Sequence, residues 1–240
     1  MNVEQSLGSQ TARSGFRAEA IFRSDVRIKQ ALATYFNKPI RQIIKAPNGR
    51  KYDNIIIFQD GTRTNIQNKK FQSLGGRGDS FDRRHIQKTF DTTLIRKYLT
   101  VLTLIRKHKR KTLMTNEQKK DFIILCNKHL DDIKQYIQKT LLGIPGSQND
   151  YWCFMKTDKD FSFMDIYIIN SKTFYTFIES TLNIDIKLKT NGTCLHLSPN
   201  IVLQRKGGGK TDHAPNHIQA KLKITQNILD ICDKILLICD

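Results

Sequence analysis

Three residues with complementary chemistry stand near one another in the chain: Asp53, Gln67 and Lys69. A carboxylate such as Asp53 holds a hard divalent cation, usually magnesium, through oxygen. The amide carbonyl of Gln67 is a second, weaker ligand for the same ion. The Lys69 ammonium suits orienting a water, or countering charge that builds on a phosphate in the transition state. The set fits metal-assisted hydrolysis. An ordinary exposed hairpin with polar residues on its wet face carries the same D-x13-Q-x-K spacing, so the pattern alone leaves both readings open.

Whether the three meet depends on the hairpin that presents them. Ile55 to Phe58 is a β-branched and aromatic run, and Asp60-Gly61 is a strong turn signal. A three-residue loop Asp60-Gly61-Thr62 pairs position 53 with position 69, and turns Asp53, Lys69 and the diagonal neighbour Gln67 to one face. A two-residue loop puts them on opposite faces. A further carboxylate lies upstream, in a segment from about Gly15 to Phe36 that reads as one helix on Phe16, Ala20, Ile21, Ile28, Ala31 and Leu32. There Glu19 is either a solvated first-turn glutamate that suits the helix dipole, or a carboxylate reaching the metal site from a packed helix.

The 240 residues suffice for one sizeable domain, and the hydrophobic fraction of 39% is compatible with a real core. The net charge of +18, from 40 basic and 22 acidic residues, implies an anionic partner, with nucleic acid ahead of an anionic membrane surface. No apolar run is long enough to span a bilayer and no secretory or transit pattern opens the chain, so the expectation is a cytoplasmic protein. Cys126, Cys153, Cys194, Cys232 and Cys239 are scattered and form no C-x-x-C pair, which suits buried thiols in a reducing compartment rather than disulfides or a zinc ribbon.

After the hairpin, Ser73 to Ser80 holds three glycines around Arg77, a loop whose backbone can approach a ligand closely. It is either a surface turn or a DNA contact. Arg83 and Arg84 follow and lead toward a predicted helix. A basic helical region is expected over about 84–142, with a cluster at Arg106–Lys111 that includes Lys107, Lys109 and Arg110. A charge run is usually a solvated face, but the one-sided sign here favours phosphate contact. A long helical pattern runs from Thr115 to Leu141 and stops near Gly143. The final third reads as strands at 152–155, 163–169, 194–198, 201–205 and 217–224, a short helix at 171–182, and a closing helix at 226–239. Gly209-Lys210-Thr211 imitates the end of a P-loop, but position 204 is Gln204 where that motif needs glycine. Asp212 to His217 invites a His-Asn-His metal reading, but Pro215 prevents a helix that would bring its histidines together.

Four blocks then resemble the HinP-type restriction endonucleases, within the PD-(D/E)XK nuclease superfamily. They are Leu7 to Glu19; Lys51-Tyr52-Asp53 with Asn65-Ile66-Gln67-Asn68-Lys69; Phe81-Asp82-Arg83-Arg84-His85; and the C-terminal run of Leu197-Ser198-Pro199, Val202 to Gly208 and Gln219 to Leu222. They span most of the chain in order, and the C-terminal block is the most specific. The resemblance implies a single-domain α/β fold over 1–240, with a mixed central β-sheet flanked by helices. It implies a type II enzyme that cuts double-stranded DNA with Mg2+ at a short palindrome, GCGC in some members, leaving 5′ overhangs. It implies catalytic roles for Asp53, Gln67 and Lys69, with Asp53 and Gln67 on the metal and Glu19 assisting. It also implies a cognate DNA methyltransferase protecting the same site. Gln204, Arg205, Lys206, Lys210 and Gln219 are expected to read or hold DNA, since arginine and lysine pair well with guanine and glutamine with adenine. The protein is expected to act as a monomer or homodimer. Two rivals remain: a non-catalytic nucleic-acid-binding protein, and a structure-specific repair nuclease.

Overall fold

The computed structural model describes residues 7–76, 79–85, 115–161, 164–182, 187–189, 194–206 and 217–237. The chain divides into two compact units: Met1–Leu74 with Leu142–Phe174 and Gln226–Asp240, and Gly75–Leu141 with Tyr175–Thr225.

The first unit opens with two helices, α1 (Leu7–Ser24) and α2 (Val26–Phe36). The expected single helix is broken at Asp25, which takes an extended conformation and accepts from the Arg27 backbone N–H, so that it caps a new helix. Asn37, in the left-handed conformation at φ 49°, closes α2. The buried face of α1 is carried by Ala18 and Phe22, one turn apart, and in α2 by Ile28 and Leu32. Phe16, expected on that face, is 62% exposed.

Behind the helices stands a six-stranded sheet in the order β1 (Ile40–Lys45), β2 (Asn54–Phe58), β3 (Arg63–Phe71), β5 (Tyr151–Thr157), β6 (Met164–Asn170) and β11 (Asp233–Ile235). Its pairs are antiparallel except β3 with β5. A parallel neighbour needs a long crossover, and residues 72–150 supply it. Ile56, Phe58, Ile66, Cys153, Met155, Ile166 and Ile168 pack with Ala18, Phe22, Ile28 and Leu32 in one core. Trp152 and Phe154 occupy the alternate positions of β5 and meet Phe174 at ring distances of 5.4 and 5.5 Å. With both faces covered, β2 is buried at all five positions, which is why it reads as a continuous apolar run. The strand β1 was not foreseen. The closing helix is instead a short α6 (Gln226–Asp230) followed by β11, whose Ile235 joins the core.

The second unit holds a five-stranded antiparallel sheet in the order β4 (Asp79–His85), β10 (His217–Leu222), β9 (Ile201–Lys206), β8 (Cys194–His196) and β7 (Lys187–Lys189). Residues 79–85 are thus strand rather than the lead into a helix. The long helical pattern is two helices, α3 (Asn116–Lys128) and α4 (Leu130–Leu142), meeting at His129. Thr115 and Gln118 form a capping box at the start of α3. Tyr136 of α4 donates to Asp82 of β4 at 3.1 Å. Helix α5 (Ser171–Thr181) matches its expected span to one residue. Residues 86–114 of the expected basic helical region lie outside the described residues. No described helix is long and apolar enough to cross a membrane.

The two faces of α1 separate two substitutions. Phe22→Ala is expected to lower the unfolding free energy by about 3–5 kcal/mol in urea melts, as for a buried aromatic. Phe16→Ala should stay within about 0.5 kcal/mol of the parent. Equal losses at both positions would contradict the assigned face.

Candidate active site

The hairpin turn is Gln59-Asp60-Gly61. Phe58 N–H donates to Thr62 O at 3.0 Å, and Gly61 sits at φ 83°, the left-handed position such a loop requires. Asp60 ties the turn by accepting from Thr62 N–H at 2.9 Å, Thr62 Oγ1 at 2.6 Å and Lys38 Nζ at 2.9 Å. The loop has three residues, as expected, but starts one residue earlier. Asn54 therefore faces Ile66, where the ladder ends, so position 69 is not the partner of Asp53. Just beyond the ladder the Asp53 N–H also turns to Ile66 O, and the Asp53 carboxylate meets the Gln67 amide. Gln67 and Lys69, two apart on β3, share one face of that strand.

Asp53 is held from both sides of the sheet. Its N–H donates to Ile66 O at 2.9 Å and its carbonyl accepts from Ala46 N–H at 3.0 Å. Its carboxylate accepts from Gln67 Nε2 and, at 2.9 Å, from the Asn68 backbone N–H. Burial pushes the Asp53 pKa above its ordinary value, against the pull of Lys69, the Asn68 N–H, Arg23 and Lys51. Glu19 of α1 is raised as well, first by burial and then by the negative charge of Asp53, with Lys69, Arg23 and Lys45 pulling the other way. The two carboxylates are close enough to oppose each other's ionisation, and cations surround them. Asp53 and Gln67 are thus in direct contact, and Glu19 and Lys69 lie within electrostatic range of the Asp53 carboxylate.

Sequence reasoning missed the polar layer beneath them. Asn54 and Asn68 are buried, and Asn54 Nδ2 donates to Asn68 Oδ1 at 2.7 Å. Arg23 Nη1 of α1 donates to Asn54 Oδ1 at 2.9 Å. Asparagine is depleted in strands, so its recurrence directly after Asp53 and after Gln67 was the available signal.

Two carboxylates drawn together against burial and mutual repulsion form a donor set that a hard cation relieves, and the Gln67 amide can join by turning its Oε1 inward. Glu19, Asp53 and Gln67 fit such an ion. Among the described residues no cluster of three or more His, Cys, Asp or Glu side chains gathers.

In the second unit, Gln204 and Gln219 stand directly opposite each other on β9 and β10. The Oε1 atoms of both are buried without a hydrogen-bond partner. Unpaired buried acceptors are uncommon and costly. Arg83 holds the register position opposite Gln219, and Cys194 that opposite Gln204. Arg84 lies in β4, and Arg205 and Lys206 in β9. Arg77, Lys107, Lys109, Arg110 and Lys210 lie outside the described residues.

No family model and no curated protein matches the chain. Among solved structures it is similar to the restriction endonuclease MspI in complex with its cognate DNA, with a TM-score of 0.50 and 14% identity over 82% of this chain and 77% of that one. At that identity the likeness shows the fold: a mixed α/β architecture like that of a restriction endonuclease.

A raised carboxylate pKa means that the folded protein binds the proton more tightly than the unfolded chain, so the ionised form works against folding. For Glu19 this deficit is absent below the ordinary glutamate range, grows as pH rises through it, and is complete above the raised value. Glu19→Gln should therefore melt at a higher temperature than the parent at pH 7, with the gap closing toward pH 4. A variant less stable than the parent at pH 7 would contradict the assigned electrostatics.

Proposed function

We propose that this protein is a type II restriction endonuclease of the HinP kind, within the PD-(D/E)XK superfamily. It hydrolyses double-stranded DNA with Mg2+ at a short palindrome, GCGC being the site of some of the enzymes it resembles, leaving 5′ overhangs and 5′-phosphomonoesters. One observation carries the reading. Gln67 donates to the Asp53 carboxylate, Lys69 shares the Gln67 side of β3, and Glu19 of α1 lies within electrostatic range of Asp53. The fold likeness and the charge of +18 support it independently.

Asp53 and Gln67 would hold the cation, with Glu19 beside them. A bound divalent ion supplies Lewis acidity toward the phosphate and lowers the pKa of water. The Lys69 ammonium, whose charge acts on Asp53, would orient the attacking water or bind a non-bridging oxygen as charge accumulates there. The Asn68 N–H keeps one Asp53 oxygen occupied, so the carboxylate offers its other oxygen in a fixed direction. Basic residues of the 75–78 loop and the 94–120 region would fix register on phosphates without reading sequence. Gln204 and Gln219 suit base reading, because a glutamine amide can donate to and accept from adenine, and their oxygens have no partner among the described residues to give up on turning outward. A DNA methyltransferase protecting the same site, and a cytoplasmic location, follow from this reading.

The closed Asp53–Gln67 hydrogen bond favours one rival, since a non-catalytic nucleic-acid-binding protein has no need to open that pair. Digestion of supercoiled plasmid with Mg2+, followed by sequencing of the fragment ends, separates the readings. The parent should give discrete fragments that share one palindrome with 5′ overhangs. Lys69→Ala should be slower by about 10²–10³-fold, the loss typical of a donor aimed at transition-state charge. Tight, salt-sensitive binding without cleavage would leave a binding protein. Cuts confined to branched or nicked DNA would leave a repair nuclease.

A further inference from the structure

The polar layer under the hairpin is built differently from the core around it. Asn54 is fully buried and Asn68 is 4% exposed, among isoleucines and aromatics. Burying two amides is costly unless they are bonded. Here they bond each other, and Asn54 takes a charged donor from α1. Asn68 Nδ2 turns to the Met155 sulfur at 3.8 Å, a weak acceptor. A valine–isoleucine pair would fill the same space without these demands, so packing alone does not account for the two asparagines.

Their placement does. Each residue of this chain of bonds neighbours one residue of the proposed site. Asn54 follows Asp53, and Asn68 follows Gln67 while its backbone N–H donates to the Asp53 carboxylate. Arg23 lies four residues after Glu19, one helical turn along the same face. A helix on a sheet can slide and roll by small amounts, and an apolar contact does not resist this directionally. A guanidinium donor on a buried amide does. Arg23 therefore fixes the height and roll of α1 where Glu19 must meet Asp53.

We propose that Arg23, Asn54 and Asn68 form a clamp in which Arg23 is a positioning residue, holding Glu19 of α1 against Asp53 and Gln67 so that the three together bind a divalent cation. This rests on the reading of those three as the cation site. Partners that orient ligands without touching the ion usually matter to affinity by about 10–100-fold.

The test is Mn2+ binding to the full-length, DNA-free protein, read from the EPR signal of free Mn2+, in a cycle of parent, Arg23→Met, Glu19→Gln and the double variant. Arg23→Met should weaken Mn2+ binding by about 10–100-fold, and its melt should fall in both backgrounds, because Asn54 Oδ1 is left buried without its donor. In the Glu19→Gln background the same change should add almost nothing to the loss of binding, because the clamp acts through Glu19. Arg23→Lys keeps the charge but loses the fork that reaches Asn54. It gives a second cycle, with the same dependence on Glu19 and a smaller loss. Unchanged Mn2+ affinity in Arg23→Met, or equal losses in both backgrounds, would overturn the clamp and leave the proposed site standing. A parent protein that does not bind Mn2+ would overturn both.

Discussion

The structure turns on a carboxylate kept where charge is unwelcome. Asp53 lies between β1 and β3, bonded through its backbone to both, and its side chain is buried enough to resist ionisation. Nothing in a folding hairpin needs an acid there. Its position follows from constraints with other origins: the Gln59-Asp60-Gly61 turn that sets the register, the β1 pairing that holds Ala46 beside it, and the Asn68 N–H that meets one of its oxygens. With Asp53 fixed, Gln67 bonds its carboxylate and Lys69 acts on it electrostatically. The negative charge of Asp53 acts in turn on Glu19 of α1.

That arrangement trades stability for chemistry. Two acids and a buried amide pair sit where apolar side chains would pack better. Four cations, Lys45, Lys51, Lys69 and Arg23, act on one or both acids and soften the conflict without removing it, since both pKa values stay raised. On the proposed reading, a divalent cation at this site would relieve both acids. The unpaired oxygens of Gln204 and Gln219 express the same logic in the second unit, as acceptors held away from water with no donor of their own.

Much of the fold was legible because local pattern and tertiary role agree. The isoleucine run at 55–57, the alternation at 217–222 and the apolar pattern at 171–181 became strand, strand and helix. The misses have physical causes. Asp25 acts as a cap inside what reads as one amphipathic pattern, so α1 and α2 look continuous. Ile40–Lys45 pairs only because β2 lies beside it, and the helix expected over 226–239 stops at Asp230 because Asp233–Ile235 pairs with β6, Ile235 facing Ile166. The division into two units has no linker to mark it, because each unit is assembled from separate stretches of chain. At the site, the chemistry-bearing residues could be picked out by type. The register could not be chosen without the turn geometry, and Arg23, Asn54 and Asn68 carry no motif at all.

The central claim is that Asp53 and Gln67 share one cation. The most direct measurement is an anomalous difference map from crystals of the protein soaked in Mn2+. The account predicts a peak in contact with the carboxylate of Asp53 and with Oε1 of Gln67, the amide having turned away from its present hydrogen bond, and with Glu19 at or next to the ion. No peak at a saturating soak, with Gln67 Nε2 still donating to Asp53, would contradict it.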